Sequence, residues 1–200
     1  MLLQASQSLV LLIDMQQKLA PAIFECKEVE QAAAWVLQVA LQLDVPVWAT
    51  EQYPQGIGAT LPALAELIPD TQVLQKMHFS ALKEPHIASS LACTERKQIV
   101  VLGTEAHVCV LQSVMDLLTL GYQVFVVAEA VGSRTEQNKQ LALNRMQQCF
   151  REAVELLNQA SASCIYMAEA MWWVAQKVTP NLRRKSDMQL KHKSGYLNIA

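Results

Sequence analysis

The chain is expected to fold as an α/β protein, a three-layer α/β/α sandwich on a six-stranded, mainly parallel sheet. Short apolar, β-branched runs alternate with longer segments of helical period, the pattern of parallel strands joined by crossover helices. Leu-Val-Leu-Leu-Ile, Ile-Val-Val-Leu and Val-Phe-Val-Val are apolar without interruption, as strands buried on both faces must be. With 200 residues, one core is large enough that neither a disulfide framework nor a structural metal is needed.

The first strand is expected at Leu9 to Ile13. A helix follows over Val29 to Leu43, where Val29, Ala32, Ala33, Val36, Leu37, Ala40 and Leu43 share one face. The second strand is Val45 to Ala49, and Gln52 to Pro62, with Pro54, Gly56, Gly58 and Pro62, is the longest stretch without pattern. Thr71 to Leu74 forms the third strand and Pro85 to Leu91 a helix with proline in its first turn. Gln98 to Leu102 is the fourth strand, and Val108 to Leu120 a helix closed by Gly121. Gln123 to Ala128 and Cys164 to Met167 complete the strands, with a long amphipathic helix over Arg134 to Leu157 between them.

Composition narrows the partners. A net charge of −2 and a pI near 6.1 give no electrostatic footprint for nucleic acid. The exception is the end of the chain, where Lys177, Arg183, Arg184, Lys185, Lys191 and Lys193 face one acid, Asp187, with no aromatic platform between them; it is taken as a solvated tail. The start of the chain has no basic n-region, and no uncharged stretch is long enough to span a bilayer, so no membrane partner is expected. Five cysteines without a CxxC pair point to reduced thiols and a cytoplasmic setting. Only 17% of residues are charged against 52% hydrophobic, so part of the surface is expected to be hidden in a homo-oligomer (a dimer or higher), with contacts along Gln147 to Asn158.

Ligands of open parallel sheets bind beyond the carboxyl ends of the strands, so the residues standing there carry the functional reading. They are Asp14; Thr50, Glu51, Gln52 and Tyr53; Lys76 and His78; and Gly103 to Cys109. Cys109 lies in the first turn of a helix, where free N–H groups and the positive helix end favour thiolate. Asp14 could accept its proton and Lys76 balance the charge. Each has a plainer role when taken alone: Asp14 as a helix cap, Lys76 as a solvated cation. His78 is expected to be structural or solvated and His107 to belong to the helix start. Gly56-Ile57-Gly58 is no dinucleotide fingerprint, and no Gly-x-Ser-x-Gly elbow occurs.

Four segments, Leu-Leu-Ile-Asp-Met-Gln-Gln-Lys (Leu11 to Lys18), Thr-Glu-Gln-Tyr-Pro-Gln-Gly-Ile-Gly (Thr50 to Gly58), Gln-Lys-Met-His-Phe-Ser (Gln75 to Ser80) and Gly-Thr-Glu-Ala-His-Val-Cys-Val (Gly103 to Val110), resemble the isochorismatase-like cysteine hydrolase superfamily, and within it the isochorismatase domain-containing branch. The resemblance covers Ser8 to Ser133, and more loosely Met167 to Leu182. It implies a Rossmann-like α/β/α domain over 1–182, followed by a basic tail over 183–200. It also implies a triad of Asp14, Lys76 and Cys109, a cis peptide at Thr104–Glu105, and an oxyanion site made by N–H groups near Glu105 and Cys109. Pocket walls would come from Gln52, Tyr53, Phe79 and Glu105.

The chain departs from that pattern twice. Nicotinamidases of the superfamily hold a metal through an Asp-x-His pair and a further His, whereas the segment here is Glu51-Gln52-Tyr53; no metal and no other cofactor is expected. Relatives reach the last strand through a short glycine-containing turn, where this chain has Gln147 to Ser163. The expected function is cofactor-independent hydrolysis of a small amide-like C–N bond through a Cys109 thioester. Two alternatives stay open: a catalytically weak oligomeric scaffold or binding protein, and enol-ether hydrolysis of the isochorismate type, which needs no thiol.

Overall fold

The computed structural model describes residues 2–158. Five strands, β1 (Ser8–Ile13), β2 (Val47–Gln52), β3 (Val73–Lys76), β4 (Gln98–Thr104) and β5 (Gln123–Gly132), form one parallel sheet in the order β3-β2-β1-β4-β5. The helices are α1 (Cys26–Gln42), the single turns α2 (Pro54–Ile57) and α3 (Pro62–Ala65), then α4 (Pro85–Cys93), α5 (Leu111–Thr119) and α6 (Glu136–Asn158). The expected strand at Cys164 to Met167, the boundary at 182 and the basic tail lie outside the described residues.

Alternation along the strands builds the layers. Leu9, Leu11 and Ile13 of β1 join Ile99, Val101, Val124 and Val126 in one core with Ile87 and Leu91 of α4, Val114 and Leu117 of α5, and Met146 of α6. The intervening Val10, Leu12, Val100, Leu102, Phe125 and Val127 are buried as well, on the side where α1 packs across β1, β2, β4 and β5. Each fully buried Leu, Ile or Val is worth about 1.5–3 kcal/mol, so the sheet is held from both faces.

Strand ends run beyond the apolar runs. β2 continues through Thr50, Glu51 and Gln52, and β3 through Lys76, because Thr50 pairs with Leu74, Glu51 with Gln75 and Gln52 with Lys76. Polar residues expected after these strands therefore sit inside the ladder. The stretch from Gln52 to Pro62, where no regular pattern was expected, contains the α2 turn.

Gly103 shows how tightly β1 and β4 approach. It adopts φ +115° opposite Ile13, and a Cβ built there would lie 2.0 Å from the Ile13 carbonyl oxygen. Backbone cannot yield as a flexible side chain can, and the φ disfavours any L side chain. Gly103→Ala is expected to lower stability by roughly 3 kcal/mol or more, the sum of backbone strain and overpacking. Urea unfolding monitored by circular dichroism measures it; an unchanged midpoint would contradict the close approach.

Candidate active site

Chain order reverses between β1 and β4: β2 and β3 are laid down on one side of β1, β4 and β5 on the other. Such a switch point opens a crevice at the carboxyl edge of the sheet. Asp14 leaves β1 there with φ +48°, a left-handed conformation that Asp tolerates better than most residues. Cys109 sits across the crevice in the π-helical turn Ala106–Val110 between β4 and α5. Lys76 ends β3, two strands away from β1, and its long side chain reaches Asp14.

The Lys76 Nζ lies 2.7 Å from Asp14 Oδ2, and both side chains are fully buried. Nζ also donates to Gln52 Oε1 at 2.7 Å and to the carbonyls of His78 and Phe79 at 3.1 Å each. Asp14 Oδ1 accepts from Thr50 Oγ1 at 2.7 Å, and the Asp14 carbonyl from Thr104 Oγ1 at 2.8 Å. The pair is thus desolvated but surrounded by polar partners, the condition under which a buried ion pair can persist.

Burial raises the Asp14 carboxyl above its ordinary range; the Lys76 charge and hydrogen bonds from Lys76, Thr50 and Cys109 pull the other way without cancelling it. Lys76 alone does not set the balance, because loss of water outweighs its charge. Cys109 departs from expectation more sharply. Instead of a helix-start thiolate it is a thiol pushed up to about 12, first by burial and then by the Asp14 charge, with Lys76 opposing. Cys109 is only 7% exposed, and the helix end cannot repay that desolvation. Asp14 and Lys76 are both near enough to act on its titration. The resting arrangement is therefore a neutral thiol beside a carboxylate–ammonium pair.

The Thr104–Glu105 peptide is cis, and Glu105 caps the turn that carries Cys109. Its carboxylate accepts from Arg134 Nε at 2.9 Å and an Arg134 terminal nitrogen at 3.1 Å. His107 Nδ1 lies 2.9 Å from Ser133 Oγ, tying the helix start to the end of β5. His78 is exposed, its ring against Glu84.

Of the expected pocket walls, Tyr53 and Phe79 are about half exposed, whereas the Gln52 carboxamide is already engaged, accepting from Lys76 and donating to the Met77 carbonyl at 2.8 Å. Thr50 was expected at this edge without a role, and two further residues, Gln16 and Glu84, were not singled out from sequence. Thr50 holds Asp14. Gln16, fully buried, accepts from the Gln52 N–H at 2.8 Å and donates to the Gln52 and Gly58 carbonyls. Its place two residues after Asp14 in a matching segment was the available signal. Glu84, which accepts from the N–H groups of Met77 and His78, had none beyond preceding Pro85.

Glu51, in the segment where nicotinamidases bind metal, accepts from both the N–H and the hydroxyl of Thr60 at 2.7 and 2.8 Å. Among the described residues no three His, Cys, Asp or Glu side chains are placed to share a metal ion. A cleft of about 230 Å³ beside Phe24, Glu28, Ser133 and Lys139, and one of about 250 Å³ beside Leu111, Met115 and Arg145, are walled by none of Asp14, Lys76 and Cys109. Chemistry rather than cavity size identifies the site. No helix among the described residues is long and apolar enough to cross a membrane.

The isochorismatase domain family model matches residues 8–156. Isochorismatase domain-containing protein 2 of Danio rerio is 38% identical over 148 residues, 73% of this chain and 73% of that protein. The secreted isochorismatase effector Isc1 of Phytophthora sojae is 35% identical over 147 residues, 70% of this chain and 69% of the other. Among solved structures, the MAR1 ribonuclease of Caenorhabditis elegans superposes with a TM-score of 0.76 at 27% identity, covering 100% of this chain and 99% of that one. An octameric Escherichia coli hydrolase of unknown specificity, the YcaC gene product, shares the fold at a TM-score of 0.72 and 20% identity, over 93% and 95% of the two chains. With the family match spanning Asp14, Lys76 and Cys109 and relatives above a third identical across most of their length, the chain belongs to the isochorismatase family.

Proposed function

We propose that the protein is a cofactor-independent cysteine hydrolase acting on a small amide-like C–N bond through a thioester on Cys109. The observation that carries the reading is the Cys109 thiol within reach of a fully buried Asp14–Lys76 ion pair. A buried carboxylate raised above its ordinary range is a suitable acceptor for a thiol proton.

In the first half-reaction Asp14 takes the proton as the sulfur bonds to the carbonyl carbon. Backbone N–H groups at Glu105 and Cys109 hold the oxyanion. The C–N bond then breaks with its electron pair going to nitrogen, and Asp14 returns the proton to the leaving amine. In the second, Asp14 takes a proton from water, the hydroxide oxygen adds to the thioester, and the C–S bond breaks; the thiolate regains the proton from Asp14. Lys76 stays charged throughout and keeps Asp14 available as a carboxylate. Tyr53 and Phe79 supply exposed aromatic surface for the non-reacting part of the substrate.

A panel of small aliphatic and aromatic amides, followed by amine release and intact-protein mass spectrometry after acid quench, tests the reading. The expected result is amine release with one substrate class and a matching acyl mass on Cys109 that hydroxylamine removes. Turnover accompanied by no covalent adduct, and unchanged in Cys109→Ser, would refute the thioester.

A further inference from the structure

Lys76 reaches across two strands to a carboxylate, yet its position depends on backbone that has almost no packing of its own. Past β3 the chain runs through Met77, His78 and Phe79; Met77 is 65% exposed, Phe79 54%, and the His78 side chain 61%. None of these side chains anchors the segment in a core. Still, the His78 and Phe79 carbonyls are two of the four acceptors around Lys76 Nζ. Something must hold the segment from the other side.

Glu84 does so. Its side chain is mostly buried, and a single oxygen, Oε1, accepts from the Met77 N–H at 2.7 Å and the His78 N–H at 3.1 Å, with His78 Nδ1 at 2.8 Å. The N–H side of this turn thereby faces the carboxylate while its C=O side faces the ammonium. Glu84 itself is fixed at the cap position preceding Pro85, where α4 begins. Further along the segment, Ser80 Oγ donates to Asp116 Oδ2 at 2.7 Å and the Ala81 N–H to Ser113 Oγ at 3.0 Å, both partners on the helix that follows Cys109.

We propose that Glu84 is a positioning residue of the active site, acting through the Met77–Phe79 backbone to aim two carbonyls at Lys76 and so hold the ammonium against Asp14. The assignment rests on the reading of Asp14, Lys76 and Cys109 as the reacting groups. The polar partners of Glu84 are Met77 and His78, so its effect is transmitted through their hydrogen bonds. Two N–H donors on one carboxylate oxygen are charge-assisted and hold the turn more firmly than neutral partners would. The same two bonds, with the His78 ring, hold the Glu84 carboxyl down to about 2, so it is an ionised acceptor throughout the neutral range.

The test needs no substrate. Iodoacetamide modification of Cys109 on the full chain, followed by peptide mass spectrometry between about pH 5 and pH 9, reads how readily Asp14 accepts the thiol proton. Asp14 is faced by Lys76 and the thiol, Glu84 by His78, and nearby Lys83 is directed to Asp116, 3.4 Å away. In Glu84→Ala the ammonium loses its aim, Asp14 holds its proton to higher pH, and the acid limb of the profile moves up; modification near neutrality slows about tenfold. Glu84→Gln keeps an acceptor oxygen for both N–H groups and is expected within about threefold of wild type.

An acid limb unmoved in Glu84→Ala, with or without a lower melting temperature, overturns the proposal, since a merely structural residue gives that result. Lys76→Ala separates the two levels. If Lys76→Ala shifts the profile and Glu84→Ala does not, Glu84 alone loses its role; if Lys76→Ala reproduces the wild-type profile, the triad reading falls and the Glu84 assignment with it.

Discussion

Replacing Cys109 with Ala is expected to lower kcat/KM on a responsive amide by at least about a thousandfold, because residual acceleration then comes only from binding and oxyanion donors. The fold should survive, since the change removes one sulfur from a packed site, at a cost of about 1 kcal/mol. The state of the thiol decides how the reaction must run. With burial and the Asp14 charge pushing Cys109 well above the ordinary thiol range, the thiolate is a minor species at pH 7. Attack by a pre-formed thiolate would forfeit that population factor. Proton transfer to Asp14 as the C–S bond forms avoids it. Activity should therefore follow the Asp14 carboxylate: it falls as pH drops, and because burial raises Asp14, it begins to fall above the ordinary carboxylate range. A wild-type profile that is flat down to pH values well inside that ordinary range, or an alanine variant with near-native turnover, would remove Cys109 and Asp14 from these roles.

What the sequence displayed and what it concealed separate along a physical line. Uninterrupted runs such as Ile99–Leu102 can exist only between two apolar layers, so the sheet and the helices beside it were legible. Asp14, Lys76 and Cys109 were legible because strand ends in a parallel sheet are where polar residues converge. The extent of β2 and β3 was not, since Thr50, Glu51, Gln52 and Lys76 are polar residues kept in the ladder by pairing with each other's strands. Nor was the charge state of Cys109. Position at a helix start argues for a thiolate, and only the tertiary structure shows burial large enough to reverse it. Thr50, Gln16 and Glu84 act through hydrogen bonds to residues between 6 and 42 positions away, distances that leave no local pattern in a single chain.

Lys76→Met should do the greatest thermodynamic damage. It fills nearly the same volume but leaves Asp14 buried opposite no cation, and removing one partner of a buried pair costs about 3–5 kcal/mol. That loss should depend on pH in a defined sense. Asp14 in the folded wild type already titrates above 3.8, its ordinary value, so between that value and the folded one the native state binds more protons than the unfolded state. Its contribution to stability is then fully present below the unfolded value and is lost as pH rises through the folded one. Lys76 is the largest influence opposing this shift, so its removal moves the folded value higher still and widens the pH window over which stability declines. Urea unfolding at several pH values should show Lys76→Met closest to wild type in mild acid and furthest from it at neutrality. Coupling the change to Asp14→Asn distinguishes charge from packing: with the carboxylate gone, much of the lost stability near pH 7 should return while modification of Cys109 stays slow. Equal destabilisation of the single and double variants at every pH would mean that Lys76 supports the fold by packing rather than by pairing with Asp14.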